Sequence, residues 1–400
     1  MDGKQRQFLW LLVWSIALPL VGTLLMSGGR GAAASGDPAA RGKTQVDAGW
    51  RLAQPVTYEN LTVFPVLSAE EADTSAFATL DEALASGAAI VTEQGSYMRR
   101  TRDGVIQPQA SGAQVNQLFL VNRGKRPLLL LAGEVVSGGK QDRIIGKDRI
   151  VPIGAKPLPL DVFCVEHGRW TGGSDQFVAA KTMVHPSVRE KAAVEQDQSR
   201  VWAAVGGQTP PIASETVTVT AEAPQLSTME ISNVMASSAP TQSYRKIYQS
   251  RSVEGSVESF AREVDRRFHR ATSVMKGEHV VGAVVAYGGE VVWSDAFASS
   301  ELFDAYWPKL LRSYVVEALT RPTTTEKASI DDARDFFHFQ NVVALDGPVF
   351  DKTGGHYNEE TEPGVYAWHE QSEGRKTEIR IEALAPRQIT LHWLKVLRTS

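Results

Sequence analysis

Residues 127–143 read PLLLLAGEVVSGGKQDR. Leu128 to Leu131 and then Val135 and Val136 make a short, almost unbroken apolar run. It stops at Gly138 and Gly139 and is followed by Lys140, Gln141, Asp142 and Arg143. A run of this length bounded by turn residues is the pattern of a buried strand rather than of an amphipathic helix. Upstream, residues 118–122 form a second apolar run, separated from the first by Gly124 and Lys125, so the spacing predicts a buried hairpin. Downstream, residues 149–165 continue as short apolar stretches broken at Pro152, Gly154, Pro157 and Pro159, which suits strand and loop. Residues 58–67, YENLTVFPVL, add β-branched and aromatic strand formers. Within this half one short helix is predicted, opened by the T-x-x-E box of Thr79 and Glu82 and ended by Gly87.

The period changes in the second half. Val194, Val201, Trp202 and Val205 share one helical face, as do Val257, Phe260, Val264 and Phe268. Residues 280–286 and 290–294 flank Gly288-Gly289 and predict a tight hairpin. Ser299 or Ser300 is placed to cap a helix whose wide apolar face holds Leu302, Phe303, Tyr306, Trp307, Leu310, Leu311 and Tyr314, with Pro308 expected to kink or split it. Residues 365–369, 378–384 and 389–396 alternate like a small meander. The expected fold class is therefore α+β: a mainly β first half, helices plus a β-hairpin in the second half, and a small β-rich C-terminal tail. The organisation expected is a main domain over residues 51–325 and a C-terminal extension over 326–400. Residues 206–243, rich in Thr, Ser, Pro and Ala, bury too little surface to offset their ordering entropy and are expected as a disordered insertion.

The N-terminus carries Lys4 and Arg6, then an apolar run over residues 8–26, then Ala32, Ala33 and Ala34. This order of charged, apolar and small residues is that of an export signal cut after Ala34. The run also approaches the ~20 residues that span a bilayer, so a retained anchor is the competing reading. Residues 35–50 then serve as a flexible spacer, and the body is expected outside the cytoplasm, periplasmic, extracellular or membrane-anchored. The chain has 400 residues, 42% of them hydrophobic, and a formal net charge of -4. Without a basic field it offers no phosphate-neutralising surface, which argues against a nucleic-acid partner. The single cysteine, Cys164, excludes an internal disulfide and reads as a small buried residue.

The densest cluster of chemistry is again residues 133–143. Gly138 and Gly139 would let backbone approach an anion, Lys140 and Arg143 would supply charge, and Gln141, Asp142 and Glu134 would complete a ligand site. The competing account is a tight turn with solvated charges, and the spacing is not that of a P-loop. A second cluster, CVEHGRW, offers Glu166 and Arg169 as further ligand-site residues or as an ion pair. Strand alternation separates Cys164 and Glu166 from His167, which disfavours a shared metal. His185, His269, His279, His338, His356, His369 and His392 show no H-E-x-x-H spacing, and Ser137 and Ser174 lack the G-x-S-x-G elbow. No metal, no cofactor and no catalytic residue is predicted.

Five stretches, YENLTVFPV, TLDEAL, PLLLLAGEVVSGGKQDR, DVFCVEHGRW and SSELFDAYWPKLLRSYVVEAL, together resemble the ARG and Rhodanese-Phosphatase-superfamily-associated protein domain, in which ARG denotes ADP-ribosylglycohydrolase. The resemblance covers about residues 51–321 apart from the insertion, with GGKQDR its most specific part. It implies ADP-ribose or phosphate chemistry and carries over no catalytic residues. The export segment, the insertion and the tail depart from a simple cytosolic member. The first expectation for function is an exported, envelope-facing binding or interaction module, with a membrane contact through residues 8–26 if they are retained, a protein partner or an anionic small molecule. The alternative is an enzyme or receptor domain acting on a phosphorylated or ADP-ribose-like ligand at the GGKQDR turn.

Overall fold

A computed structural model describes residues 49–93, 98–100, 106–108, 117–167, 176–205, 242–244, 251–337, 366–383 and 388–399. The expected signal or anchor, nearly all of the spacer, most of the insertion and Arg169 lie outside them. Among the described residues no helix is long and apolar enough to cross a membrane.

The first half is β-rich. Its elements are β1 (Trp50–Leu52), β2 (Val56–Tyr58), β3 (Leu61–Ser68), β4 (Ala78–Thr79), α1 (Leu80–Ala85), β5 (Ala89–Glu93), β6 (Met98–Arg100), β7 (Ile106–Pro108), β8 (Gln117–Asn122), β9 (Leu128–Leu130), β10 (Glu134–Gly138), β11 (Arg143–Ile145), β12 (Arg149–Val151), β13 (Gly154–Cys164), β14 (Glu166–His167) and β15 (Gln176–Met183). Then come α2 (Pro186–Glu190), α3 (Gln198–Val205), β16 (Gln242–Ser243), α4 (Arg251–Thr272), β17 (His279–Tyr287), β18 (Glu290–Phe297), α5 (Ser300–Thr320), α6 (Ile330–Phe337), β19 (Tyr366–Glu373), β20 (Lys376–Ala383) and β21 (Ile389–Leu397).

Two sheets dominate. Strands β10, β11, β13, β8, β5 and β15 close into a barrel, whereas β1, β3, β17, β18, β21, β20 and β19 form an open sheet with β2 beside β3. The predicted hairpin of residues 118–137 is not formed. Strand β8 pairs with β5 and β13 inside the barrel, while β9 leaves it to pair with β12 and β4. Both runs are apolar enough to be buried between layers, and that leaves their partners to be set by distant strands. The Gly288-Gly289 hairpin does form, with Tyr287 opposite Glu290. The C-terminal stretch expected as an extension supplies three strands of the open sheet, through β21 paired to β18.

Local signals act as their chemistry dictates. Thr79 Oγ1 accepts from the Glu82 N–H at 3.2 Å, and Ser299 Oγ from the Leu302 N–H at 3.2 Å. Helix α5 continues through Pro308, which was expected to kink or split it. Proline removes one donor, but Pro308 lies on the exposed stripe of α5 with Glu301, Asp304 and Ala305, while the opposite side, including Lys309, Ser313 and Glu317, is buried and its packing holds the helix through the gap. The helix expected around residues 189–205 is two: a π-type turn over Lys191–Glu195 ends at Gln196 in the left-handed region, φ 51°, and Asp197 then caps α3 through the Ser199 and Arg200 N–H groups. The last two residues of the expected insertion, Gln242 and Ser243, form β16 and pair with β14, and Tyr244 just beyond them is buried.

Helices α4 and α5 share one core with the inner face of the open sheet and the outer face of the barrel: Val257, Phe268, Tyr306 and Leu310 pack with Ala283, Val285, Leu131 and Met183. Helix α6 covers the other face of the sheet with Phe336 and Phe337 against Phe64 and Trp393. The barrel has its own interior of Ala89, Val91, Leu118, Leu120, Val136, Ile145, Leu160, Val162 and Phe177.

Candidate functional site

The GGKQDR turn connects β10 to β11 and folds inward. Gln141, Asp142 and Arg143 are buried, and they contact their own neighbours: Ser137 Oγ donates to Asp142 Oδ1 at 2.7 Å, and Arg143 Nη1 donates to Gln141 Oε1 at 3.3 Å. A turn with solvated charges is therefore not what forms.

The two glycines have an internal cause. Gly138 sits at φ 146°, and a Cβ there would lie 2.5 Å from the Gln176 carbonyl oxygen; Gly139 sits at φ 52°, and a Cβ there would lie 2.5 Å from the Phe177 ring and 2.6 Å from Glu93 Oε1. The close approach that glycine permits is thus to β15 and to Glu93. The Lys140 N–H donates to Glu93 Oε1 at 2.8 Å, so a carboxylate stands where an anion was expected.

Glu134 belongs elsewhere. It begins β10 while the turn ends it, four residues of extended chain or about 13 Å away. Its carboxylate accepts from the Leu131 N–H at 2.6 Å and from Lys309 Nζ at 2.5 Å, and Lys309 also reaches Asp81 at 2.8 Å. Burial works against the Lys309 ammonium, but Glu134 and Asp81 outweigh it and raise its pKa, so the lysine stays charged. Glu166 lies on β14, whose backbone pairs with β16. Cys164 is buried, and the Gln198 side chain holds both its N–H and its carbonyl, at 2.8 and 2.9 Å.

Sequence reading missed a fully buried polar cluster. Arg189 of α2, Asp295 of β18 and His392 of β21 are fully buried and meet Asp148 of the loop between β11 and β12. Arg189 Nη1 donates to Asp295 Oδ2 at 2.9 Å, with Nη2 2.9 Å from Oδ1. The His392 ring spans two carboxylates, Nδ1 2.5 Å from Asp148 Oδ2 and Nε2 3.0 Å from Asp295 Oδ1. Trp293 Nε1 donates to Asp295 at 2.8 Å and the Tyr314 hydroxyl also donates to it. Burial opposes charge here, but Asp148 and Asp295 raise the His392 pKa, and Arg189 and His392 hold Asp295 far below the ordinary carboxylate range. With an imidazolium at the centre the four formal charges cancel.

A second cluster joins α2 to α5. Ser187 Oγ donates to Glu317 Oε1 at 2.5 Å, Arg321 Nε donates to the same oxygen at 2.7 Å, and His185 Nδ1 lies 2.9 Å from the Tyr244 hydroxyl. Burial pushes the Glu317 carboxyl up, but the Arg321 guanidinium, with the Ser187 hydroxyl, outweighs it and holds it at about 2. Burial also lowers the His185 pKa, which keeps that ring neutral. Among the described residues no group of three or more His, Cys, Asp or Glu side chains is placed to hold a metal ion.

No curated protein and no solved structure matches the chain. Residues 49–346 match the ARG and Rhodanese-Phosphatase-superfamily-associated Protein domain, so the turn, the barrel and the helices α1 to α6 fall within the matched region while β19, β20 and β21 follow it. Since the match takes in well over half of the 400 residues, the chain belongs to the family of that domain.

Proposed function

We propose that the protein is an exported, envelope-facing binding module. The observation that carries this reading is that its buried acids and bases are spent on one another. Glu134 and Asp81 share Lys309, Asp148 and Asp295 share His392, and Glu317 is held by Ser187 and Arg321. Catalysis draws on groups converging on a site that substrate can reach, and such closed pairings suit a rigid scaffold instead. The sequence order of residues 4–34 supports export, with residues 8–26 as the membrane contact if they are retained.

Fractionation of a bacterium producing the full-length chain tests this. Recovery in the periplasmic extract or in washed membranes is expected; recovery in the cytosol alone overturns it. The second reading, a domain for a phosphorylated or ADP-ribose-like ligand at residues 138–143, draws on the Lys140 N–H, which holds a carboxylate. Sustained turnover of ADP-ribose or a phosphate ester by the purified chain, lost on Arg143→Ala, would put that reading first.

A further inference from the structure

One end of the barrel gathers three groups whose chemistry belongs together. Strands β5 and β10 both pair antiparallel with β15, so they run in the same direction and finish at the same end, in Glu93 and in Gly138. Ala89 and Val91 of β5 lie in the barrel interior, and alternation sends Glu93 to that same side. Ile145 of β11 lies there too, and alternation likewise sends Arg143 inward. Both charged residues are buried, at 8% and 1% exposure. Between them the chain turns through Gly139 in the left-handed region and presents the Lys140 N–H to Glu93 Oε1 at 2.8 Å.

A backbone N–H aimed from a left-handed glycine turn, at the same barrel end as an inward-facing arginine, is the equipment of an oxyanion site. We propose that residues 138–143 at this end of the barrel form an oxyanion-binding site whose occupant in the free protein is the chain's own Glu93 carboxylate. Its external ligands are molecules bearing a carboxylate or a phosphate, which displace Glu93 and take the Lys140 N–H. Two features favour this over a simple latch. Gly139 leaves room for the carboxylate where a Cβ would come within 2.6 Å of it, and Arg143 adds a buried positive charge at the same end of the barrel. The proposal deepens the second reading of the turn and is independent of where the protein resides, so it survives or fails apart from the fractionation result.

Chemical rescue tests it in the full-length chain. Glu93→Ala vacates the site, and thermal unfolding is followed with formate, acetate or inorganic phosphate against chloride at matched ionic strength. The variant is expected to melt below the parent and to recover with formate or phosphate along a saturating curve, while the parent, in which Glu93 competes for the same N–H, responds only at higher concentrations of either ion. The ¹⁵N amide resonance of Lys140 should move with the same saturation. Glu93→Gln, which keeps the site filled, should show no rescue. Equal responses to formate, phosphate and chloride, with a stationary Lys140 amide, would overturn the proposal and leave Glu93 a structural latch. If Glu93→Ala does not fold, Glu93→Asp, shorter by one methylene, carries the amide titration with the same two outcomes.

Discussion

Arg189 and Asp295 lie 106 residues apart in sequence and meet through two 2.9 Å contacts in a place with no solvent exposure. Together they tie helix α2 to the centre of the open sheet, and Arg189 Nε also donates to the Ala132 carbonyl at 2.7 Å, next to the barrel. Removing one member of a buried pair costs far more than the pair contributes, because the other charge is left without compensation. Asp295→Ala should therefore destabilise the protein by about 3–5 kcal/mol. A urea titration followed by Trp fluorescence would read this as a fall in midpoint; an unchanged midpoint would mean that Arg189 finds another partner.

His392 makes stability depend on alkaline pH. Its folded pKa is raised above 6.5 by Asp148 and Asp295, against the opposing effect of burial, so folding takes up a proton there. The resulting stability is complete below about 6.5 and is lost as pH climbs through the raised folded value. His392→Asn should lower stability at neutral pH and flatten this alkaline decline. Melting temperatures of parent and variant between pH 6 and 10 would check it, since parallel profiles would exclude His392 as the source.

Glu317 acts on the acid side. Held at about 2 against an ordinary 4.5, it contributes stability that is present above 4.5 and lost as pH falls toward 2. Glu317→Gln should reduce the acid sensitivity of unfolding while lowering stability at pH 7, because Ser187 and Arg321 lose a charged acceptor. Denaturation at pH 3 and pH 7 measures both effects.

Lys309→Met should cost about 3–5 kcal/mol by leaving Glu134 buried without a cation, and the joint change with Glu134→Gln should recover part of that loss. A double-mutant cycle in urea separates the pair from the general cost of altering α5.

The two turn glycines differ in what blocks a side chain. At Gly138 the obstacle is the Gln176 backbone, whereas at Gly139 it is a ring edge and a carboxylate that can shift. Gly138→Ala should destabilise more than Gly139→Ala, each by at least about 1 kcal/mol, since both sit at positive φ. The order of the two melting temperatures decides.

Much of the local structure was legible because its causes are local. Thr79, Ser299 and Gly288-Gly289 act within four residues of themselves, and the faces of α4 and α5 follow from the helical period. The barrel was not legible, since Leu120 and Leu129 look alike in sequence and only their distant partners decide which enters it. The buried cluster was harder still. His392 reaches Asp148 across 244 residues, and a histidine on an alternating strand carries no sign that two carboxylates await it. At the GGKQDR turn the residue types were read correctly as capable of holding an anion, but the carboxylate present, Glu93, lies 47 residues upstream of Lys140. The offered partner Glu134 points to the opposite end of the same strand.

Strand β21 lies between β18 and β20, yet it follows β18 in the chain only after α5, α6, β19 and β20. A ribosome releases residues in order, so β18 keeps an open edge, and Asp148 and Asp295 lack their imidazolium, until residues 389–397 emerge. The order of synthesis thus delays completion of the open sheet until β21 has emerged. A chain that stops before Ile389 would be left with an unpaired strand and an uncompensated buried acid, a ready signal for degradation.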